Sequence, residues 1–184
     1  MSGHRTPEPL ILQALSAAAF APFGAVIEPA AAAHEYPIND GLTYRYDDIA
    51  RAHSFPAGQS NGEMNSADTG LGFSIFRARP VALPFALQRM ERHPLGTQAF
   101  INTGNVAFAI VVAPPGAFDA AAMRAFLAAP GQSINYHVGT WHHHLLALGR
   151  GDFIVVDRIG DGNCDEMALP EPIMLVASSA DGHR

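Results

Sequence analysis

The sequence contains a single cysteine, Cys164, among 184 residues. One thiol makes no internal disulfide, which is the usual pattern of a reducing compartment, so a cytoplasmic location is expected. Charge is also scarce, at 15% of residues with a formal net charge of -6, and Lys and Arg form no run. A nucleic-acid ligand needs a basic face to displace counterions from phosphates, and an anionic membrane surface needs the same, so neither partner is expected. No apolar run approaches membrane-spanning length. Residues 1–9 lack the apolar centre of a signal peptide and read as a loose leader. The alternating strand–helix rhythm of a Rossmann or TIM fold is missing, and so is any repeat of fixed period. What remains is a chain that is 48% hydrophobic, the opposite of a disordered composition. Its length predicts one domain over residues 10–177, followed by a polar tail at 178–184.

Short apolar stretches divided by turn residues predict strands at 10–12, 23–28, 71–77, 85–90, 134–138, 145–148, 153–157 and 172–177. Residues 43–46 have alternating character after the Asn39-Asp40-Gly41 turn signal. Ser16 is placed to cap a short helix stopped near Pro22. Residues 98–101 and 106–113 are expected to form a hairpin across 102–105. The Gly-, Asn- and Ser-rich stretch 56–70 reads as a surface loop. The strongest helix signal is 119–129, with Asp119 as cap and Pro130-Gly131 as stop. Many short strands with few helices predict an all-β barrel or sandwich.

Two histidine-bearing segments carry the chemistry. In the first, residues 91–100, Glu91 and His93 are spaced to share one face of a strand. Pro94 and Gly96 then bend the chain, and Gln98 starts the next strand, able to return to the same concave face. Carboxylate, imidazole and amide oxygen together suit either a divalent transition metal or a hydrogen-bonding pocket for a small polar molecule. In the second, residues 135–145, Gly139 and Thr140 mark a turn. Trp141 and His143 are expected to face opposite to His142 and His144. Arg77, Arg92 and Arg158 sit at strand ends, and a barrel mouth that collects arginine and histidine suits a small anion. Arg77 is expected to point inward, because Phe73 and Ile75 lie on its strand face.

The two segments resemble the two motifs of the cupin family, with Glu91, His93 and Gln98 at the spacing of the first and His137-Val138-Gly139-Thr140-Trp141-His142 at that of the second. Here His137 stands in place of proline, and Glu91 and Gln98 replace the commoner histidine and glutamate. The residues 91–100 block, Asn135-Tyr136-His137 with Trp141-His142-His143, Asp157-Arg158 with Asn163-Cys164, and Asn39-Asp40-Gly41 with Arg45 resemble the ureidoglycolate lyase family. The likeness runs from about Leu10 to Pro172. The fold it implies is a cupin-like β-barrel or jelly roll, mainly β with a few short helices.

The resemblance implies cleavage of ureidoglycolate to glyoxylate and urea, late in allantoin and purine breakdown, by a cytoplasmic homodimer. It also implies a nickel- or zinc-like divalent metal and no organic cofactor. Glu91, His93, Gln98 and His142 are the expected metal set. His93 and His142, with Tyr136 and His137, are the expected catalytic groups, and Arg77, Gln98, Trp141 and Asp157 the expected substrate contacts. Without a metal, His93 or His142 would move the proton alone. Tyr136 is equally readable as a wall residue, Trp141 reads as shaping the wall rather than reacting, Arg77 is also readable as an ion-pair partner of Asp157, and Asp157 as a strand cap. Cys164 has no adjacent base and reads as inert. His4, His34, His53 and His183 are expected in solvent. Two other readings stay open. One is a cupin-type hydrolase or isomerase acting on another small hydroxy acid. The other is a non-catalytic barrel that binds a small ligand.

Overall fold

The computed structural model describes residues 7–56 and 70–178. Its strands are β1 (Leu10–Ile11), β2 (Gln13–Ala14), β3 (Gly24–Ile27), β4 (His34–Ile38), β5 (Thr43–Asp47), β6 (Leu71–Ala78), β7 (Phe85–Arg92), β8 (Gln98–Asn102), β9 (Phe108–Ala113), β10 (Arg124–Ala128), β11 (Ser133–Tyr136), β12 (Trp141–His142), β13 (Leu146–Ala147), β14 (Gly151–Arg158) and β15 (Asp165–Val176). One helix, α1 (Ala17–Phe20), is capped by the Ser16 hydroxyl, which accepts from the Ala19 amide. The chain is thus mainly β, as expected.

The strands form two sheets that face each other. The larger runs β1-β15-β7-β12-β9-β10-β2, with β13 beside β9, and the smaller runs β3-β11-β8-β14-β6. Strands β4 and β5 make a separate hairpin. The strand β9 shows why the barrel closes. It is buried along its whole length. Phe108, Ile110 and Val112 join the interior cluster with Phe100, Ile134, Phe153 and Val155 of the smaller sheet. Ala109, Val111 and Ala113 face the other way, into a second cluster with Leu87, Met90, Met123 and Leu175. A strand buried on both faces reads as an unbroken apolar run rather than an alternation. The larger sheet therefore has a core on each side, and its inner face meets the smaller sheet.

Two expected elements are corrected. Residues 119–129 are not a helix: Asp119 caps one 3-10 turn, Ala120–Ala122, and the chain then enters β10. That strand pairs with β9 on one side and β2 on the other. Both of its neighbours supply hydrogen bonds and apolar contacts, and this tertiary pairing outweighs the modest helix preference of an alanine-rich stretch. Residues 98–113 are not a hairpin either. Strand β8 pairs with β11 and β14 in the smaller sheet, whereas β9 belongs to the larger. The turn after β8 crosses between sheets, and Gly104 lets it press against Gly151 and Asp152, where a Cβ would sit 2.6 Å from backbone atoms. The leader is described only from residue 7, the tail only at 177 and 178, and most of the 56–70 loop lies outside the described residues.

Phe153 is fully buried and meets Phe108 edge-on, with ring centroids 5.2 Å apart. Phe153→Ala is expected to lower the unfolding free energy by roughly 3–5 kcal/mol. Urea denaturation reads this directly, and a loss below about 1 kcal/mol would contradict a core between the two sheets.

Candidate active site

Strand pairing builds the site. Residues opposite one another on neighbouring strands project to one face. His142 lies opposite Val112 on one side and Glu91 on the other. Val112 faces the barrel interior, so His142 and Glu91 do too. His93 follows just past the end of β7, two residues beyond Glu91, and comes back to the same side. The rings of His93 and His142 are 5.1 Å apart at 42°. The ligand atoms of Glu91, His93 and His142 all lie within 4.8 Å of one another.

The smaller sheet supplies the opposing wall. Gln98 and Tyr136 are paired across β8 and β11. The Tyr136 ring stacks on His142, with centroids 4.3 Å apart and planes within 8°. The Gln98 amide nitrogen donates to the Asp157 carboxylate at 3.1 Å. This bond leaves the Gln98 carbonyl oxygen turned away from Asp157, buried and without a partner.

Hydrogen bonds decide the state of both imidazoles. His93 Nδ1 meets the Asn163 carbonyl oxygen, and His142 Nδ1 meets the His143 carbonyl oxygen at 3.2 Å. A carbonyl only accepts, so each Nδ1 carries a proton, and a neutral ring then has its lone pair on Nε2. Both Nε2 atoms are buried and unpartnered. Burial, reinforced by the neighbouring His93, pushes the His142 pKa down to about 3. Glu91 Oε1 lies 3.7 Å from His142 Nδ1. With the ring neutral, that approach is not an ion pair. Burial holds the Glu91 carboxyl above its ordinary range, against a lowering by His93. Tyr136 is also raised, by burial and then by the Glu91 charge, so its hydroxyl stays protonated at neutral pH.

Two imidazoles, one carboxylate and one amide oxygen thus line this part of the barrel, and both Nε2 atoms and the amide oxygen are buried with no hydrogen-bond partner. Buried polar atoms are normally satisfied. A divalent ion of borderline softness accepts this donor set, and both imidazoles have the backbone-held Nδ1–H that such ligands require. The residues thus fit a metal.

Other expected site residues lie elsewhere. Arg77 does not point inward. Its side chain is exposed and forms a two-pronged pair with Asp152, at 2.9 Å for each bond, and its face-mates Phe73 and Ile75 are 80% and 71% exposed. The alternation along β6 is real, but its apolar face is the outer one. Nor is Arg77 paired with Asp157. Trp141 lies on the outer side of the larger sheet with Phe118, its indole N–H donating to Gly116 and Arg92 lying 4.6 Å over its ring. His137 is exposed on the far face of the smaller sheet, with its Nε2 against the Ala21 carbonyl. There it borders a 380 Å³ depression with Arg51, His53 and Asn135. His143 packs edge-on against Phe85, and burial pushes its pKa down to about 4. Cys164 is exposed, and burial followed by the charges of Glu91, Glu166 and Asp165 raises its thiol. His34 and His53 are exposed as expected, and His4 and His183 lie outside the described residues. Sequence reasoning gave Asn163 no role of its own, and its carbonyl proves to hold His93. A backbone acceptor leaves no residue-type signal, and only the flanking glycines mark the turn.

A family model described as ureidoglycolate lyase matches residues 7–176. A ureidoglycolate lyase from Burkholderia mallei (strain NCTC 10229) is 45% identical over 170 residues, covering 90% of this chain and 92% of that protein. One from Burkholderia cepacia is 48% identical over 164 residues, covering 87% and 86%. One from Pseudomonas entomophila (strain L48) is 42% identical over 170 residues, covering 91% and 95%.

The buried, neutral His142 has a consequence for acid stability. Its folded pKa of about 3 lies below the ordinary 6.5, so below that ordinary value the unfolded chain binds a proton that the folded chain refuses. The contribution is fully present above pH 6.5 and is lost as the pH falls toward 3. In metal-free protein, Tm is expected to fall across this window, and the fall should be shallower in His142→Asn. Equal slopes in the two proteins would contradict a buried neutral imidazole.

Proposed function

This chain belongs to the ureidoglycolate lyase family, and on that premise we propose that the Glu91–His93–His142 centre cleaves ureidoglycolate to glyoxylate and urea. The observation that carries this reading is the convergence of one ligand atom each from Glu91, His93 and His142, on two imidazoles whose buried Nε2 atoms have no partner. The reaction breaks the bond between the carbinol carbon and the ureido nitrogen. The hydroxyl loses its proton as the carbonyl forms, and the departing nitrogen gains one.

Glu91, His93 and His142, with the Gln98 carbonyl oxygen, would hold a nickel- or zinc-like ion. When bound, such an ion supplies Lewis acidity, which holds hydroxyl and carboxylate oxygens and lowers the hydroxyl pKa. The remaining work belongs to side chains. Burial makes the Glu91 carboxylate a better base than a surface carboxylate, and in this reading it accepts the hydroxyl proton. Tyr136 keeps its proton at neutral pH and donates toward the ureido nitrogen. Its stacking on His142 fixes the ring plane, and Asp157 fixes the rotamer of Gln98. Trp141, Arg77 and His137 have no part in this reading.

The protein acts as a cytoplasmic homodimer in this proposal. The outer face of the smaller sheet exposes Phe73 and Ile75, and the β4–β5 hairpin exposes Leu42 and Tyr44. Exposed apolar side chains of this kind are what an interface between copies covers. Among the described residues no helix is long and apolar enough to cross a membrane.

Purified protein should release urea and glyoxylate from ureidoglycolate faster than the spontaneous decay. Chelator treatment should remove this activity, and nickel or zinc should restore it. His142→Ala is expected to lower kcat/KM by about 10²-fold or more, and Tyr136→Phe should lower kcat while leaving bound metal unchanged, on the scale of a lost general acid. No release above background, with and without added metal, would sink the assignment. Sedimentation should give a dimer that Phe73→Asp with Ile75→Asp converts to monomer, and a monomeric wild type would refute the interface.

A further inference from the structure

We propose that Asn163 is a positioning residue that sets the tautomer of His93, and that Arg158 holds Asn163 in place. The inference rests on His93 serving the centre described above. It concerns a residue that never touches substrate.

The turn that carries Asn163 grips the His93 segment at two points. Its backbone carbonyl takes the His93 Nδ1–H. Its side-chain oxygen takes the Leu95 amide N–H at 2.8 Å. Asn163 is 8% exposed, so both bonds form out of water, where an unmade bond is costly. The turn can present its carbonyl this way because Gly160 and Gly162 adopt φ of 102° and 74°, values that side-chain-bearing residues rarely take.

Arg158 braces the same turn from below. It is 7% exposed, and its guanidinium donates to the Phe55 carbonyl at 3.0 Å and to the Asp161 carbonyl at 3.2 Å. Gly96 leaves the space for this approach: a Cβ there would lie 3.0 Å from Arg158 Cβ and 3.1 Å from the His53 carbonyl oxygen. The chain of constraint runs from Arg158 to the turn, from the turn to the Asn163 carbonyl, and from that carbonyl to a His93 ring whose Nε2 is bare. A ring released from the carbonyl would divide its proton between the two nitrogens, and the Nε2–H form presents no lone pair at Nε2, the nitrogen that the carbonyl bond leaves free.

The test is ¹⁵N NMR of histidine-labelled, metal-free protein, with the His93 signals identified by their loss in His93→Asn. Wild type should show His93 as the Nδ1–H tautomer. A His93 ring protonated on Nε2 in wild type would overturn the proposal without any variant being made. Asn163→Ala should give a mixture of tautomers and weaken zinc binding by about 10–100-fold, the usual effect of losing a residue that orients a ligand. Asn163→Asp keeps the acceptor for the Leu95 N–H, so it should retain the wild-type tautomer. An unchanged tautomer and zinc affinity in folded Asn163→Ala would overturn the proposal, as would an Asp variant that fails as the Ala variant does. Should Asn163→Ala not fold, Arg158→Lys against Arg158→Met asks the same question, with the Lys variant expected closer to wild type. None of these readouts uses ureidoglycolate, so failure here is distinguishable from failure of the lyase assay.

Discussion

Two imidazole Nδ1–H groups are committed to backbone carbonyls, those of Asn163 and His143, and the character of the centre follows from that commitment. Each bond removes one of the two neutral tautomers, and the other nitrogen is buried without a partner. Burial then keeps the His142 ring neutral, so its lone pair is available rather than protonated. The result is a pair of preset donors beside a carboxylate that burial has made more basic. Without the carbonyl bonds the same three side chains would be a loose group of polar residues at a strand end.

The barrel's construction makes that arrangement rigid. The larger sheet is packed on both faces, by the interior cluster on one side and by a second cluster on the other. Strands β7 and β12 therefore have little freedom to shift, and with them Glu91 and His142. The smaller sheet contributes by contact across the barrel, as Tyr136 lies flat on His142 and Asp157 orients Gln98. A site held by side chains from facing sheets is positioned by the core itself, which is where precise geometry is least costly to maintain. The second core also accounts for Trp141. Its indole fills the outer cluster and anchors Arg92, so it supports the strand that carries His142 without facing the mouth.

The fold class and the centre were legible in the sequence to different depths. Short apolar runs separated by turn residues made the mainly-β architecture readable. The Glu91–His93 spacing and the motif around His142 pointed to residues that do converge. The errors share one physical origin, which is that local pattern does not say what lies on either side of an element. The alanine-rich stretch after Asp119 has helix preference, yet β9 and β2 flank it and make it a strand. Along β6 the alternation of Phe73, Ile75 and Arg77 is correct in period and reversed in direction, because the packed face there is the one carrying Phe76 against Phe100.

By itself the sequence determined the class of the fold and the family, and it singled out Glu91, His93, Gln98 and His142 as candidates, since these depend on residue type and spacing along one chain. Tertiary structure alone decided which faces are interior, that Arg77 pairs with Asp152, that Trp141 belongs to the outer core, and that the Asn163 carbonyl sets the His93 ring. Those are contacts between segments far apart in the chain. Several run through backbone groups that every residue possesses, so residue identity does not encode them.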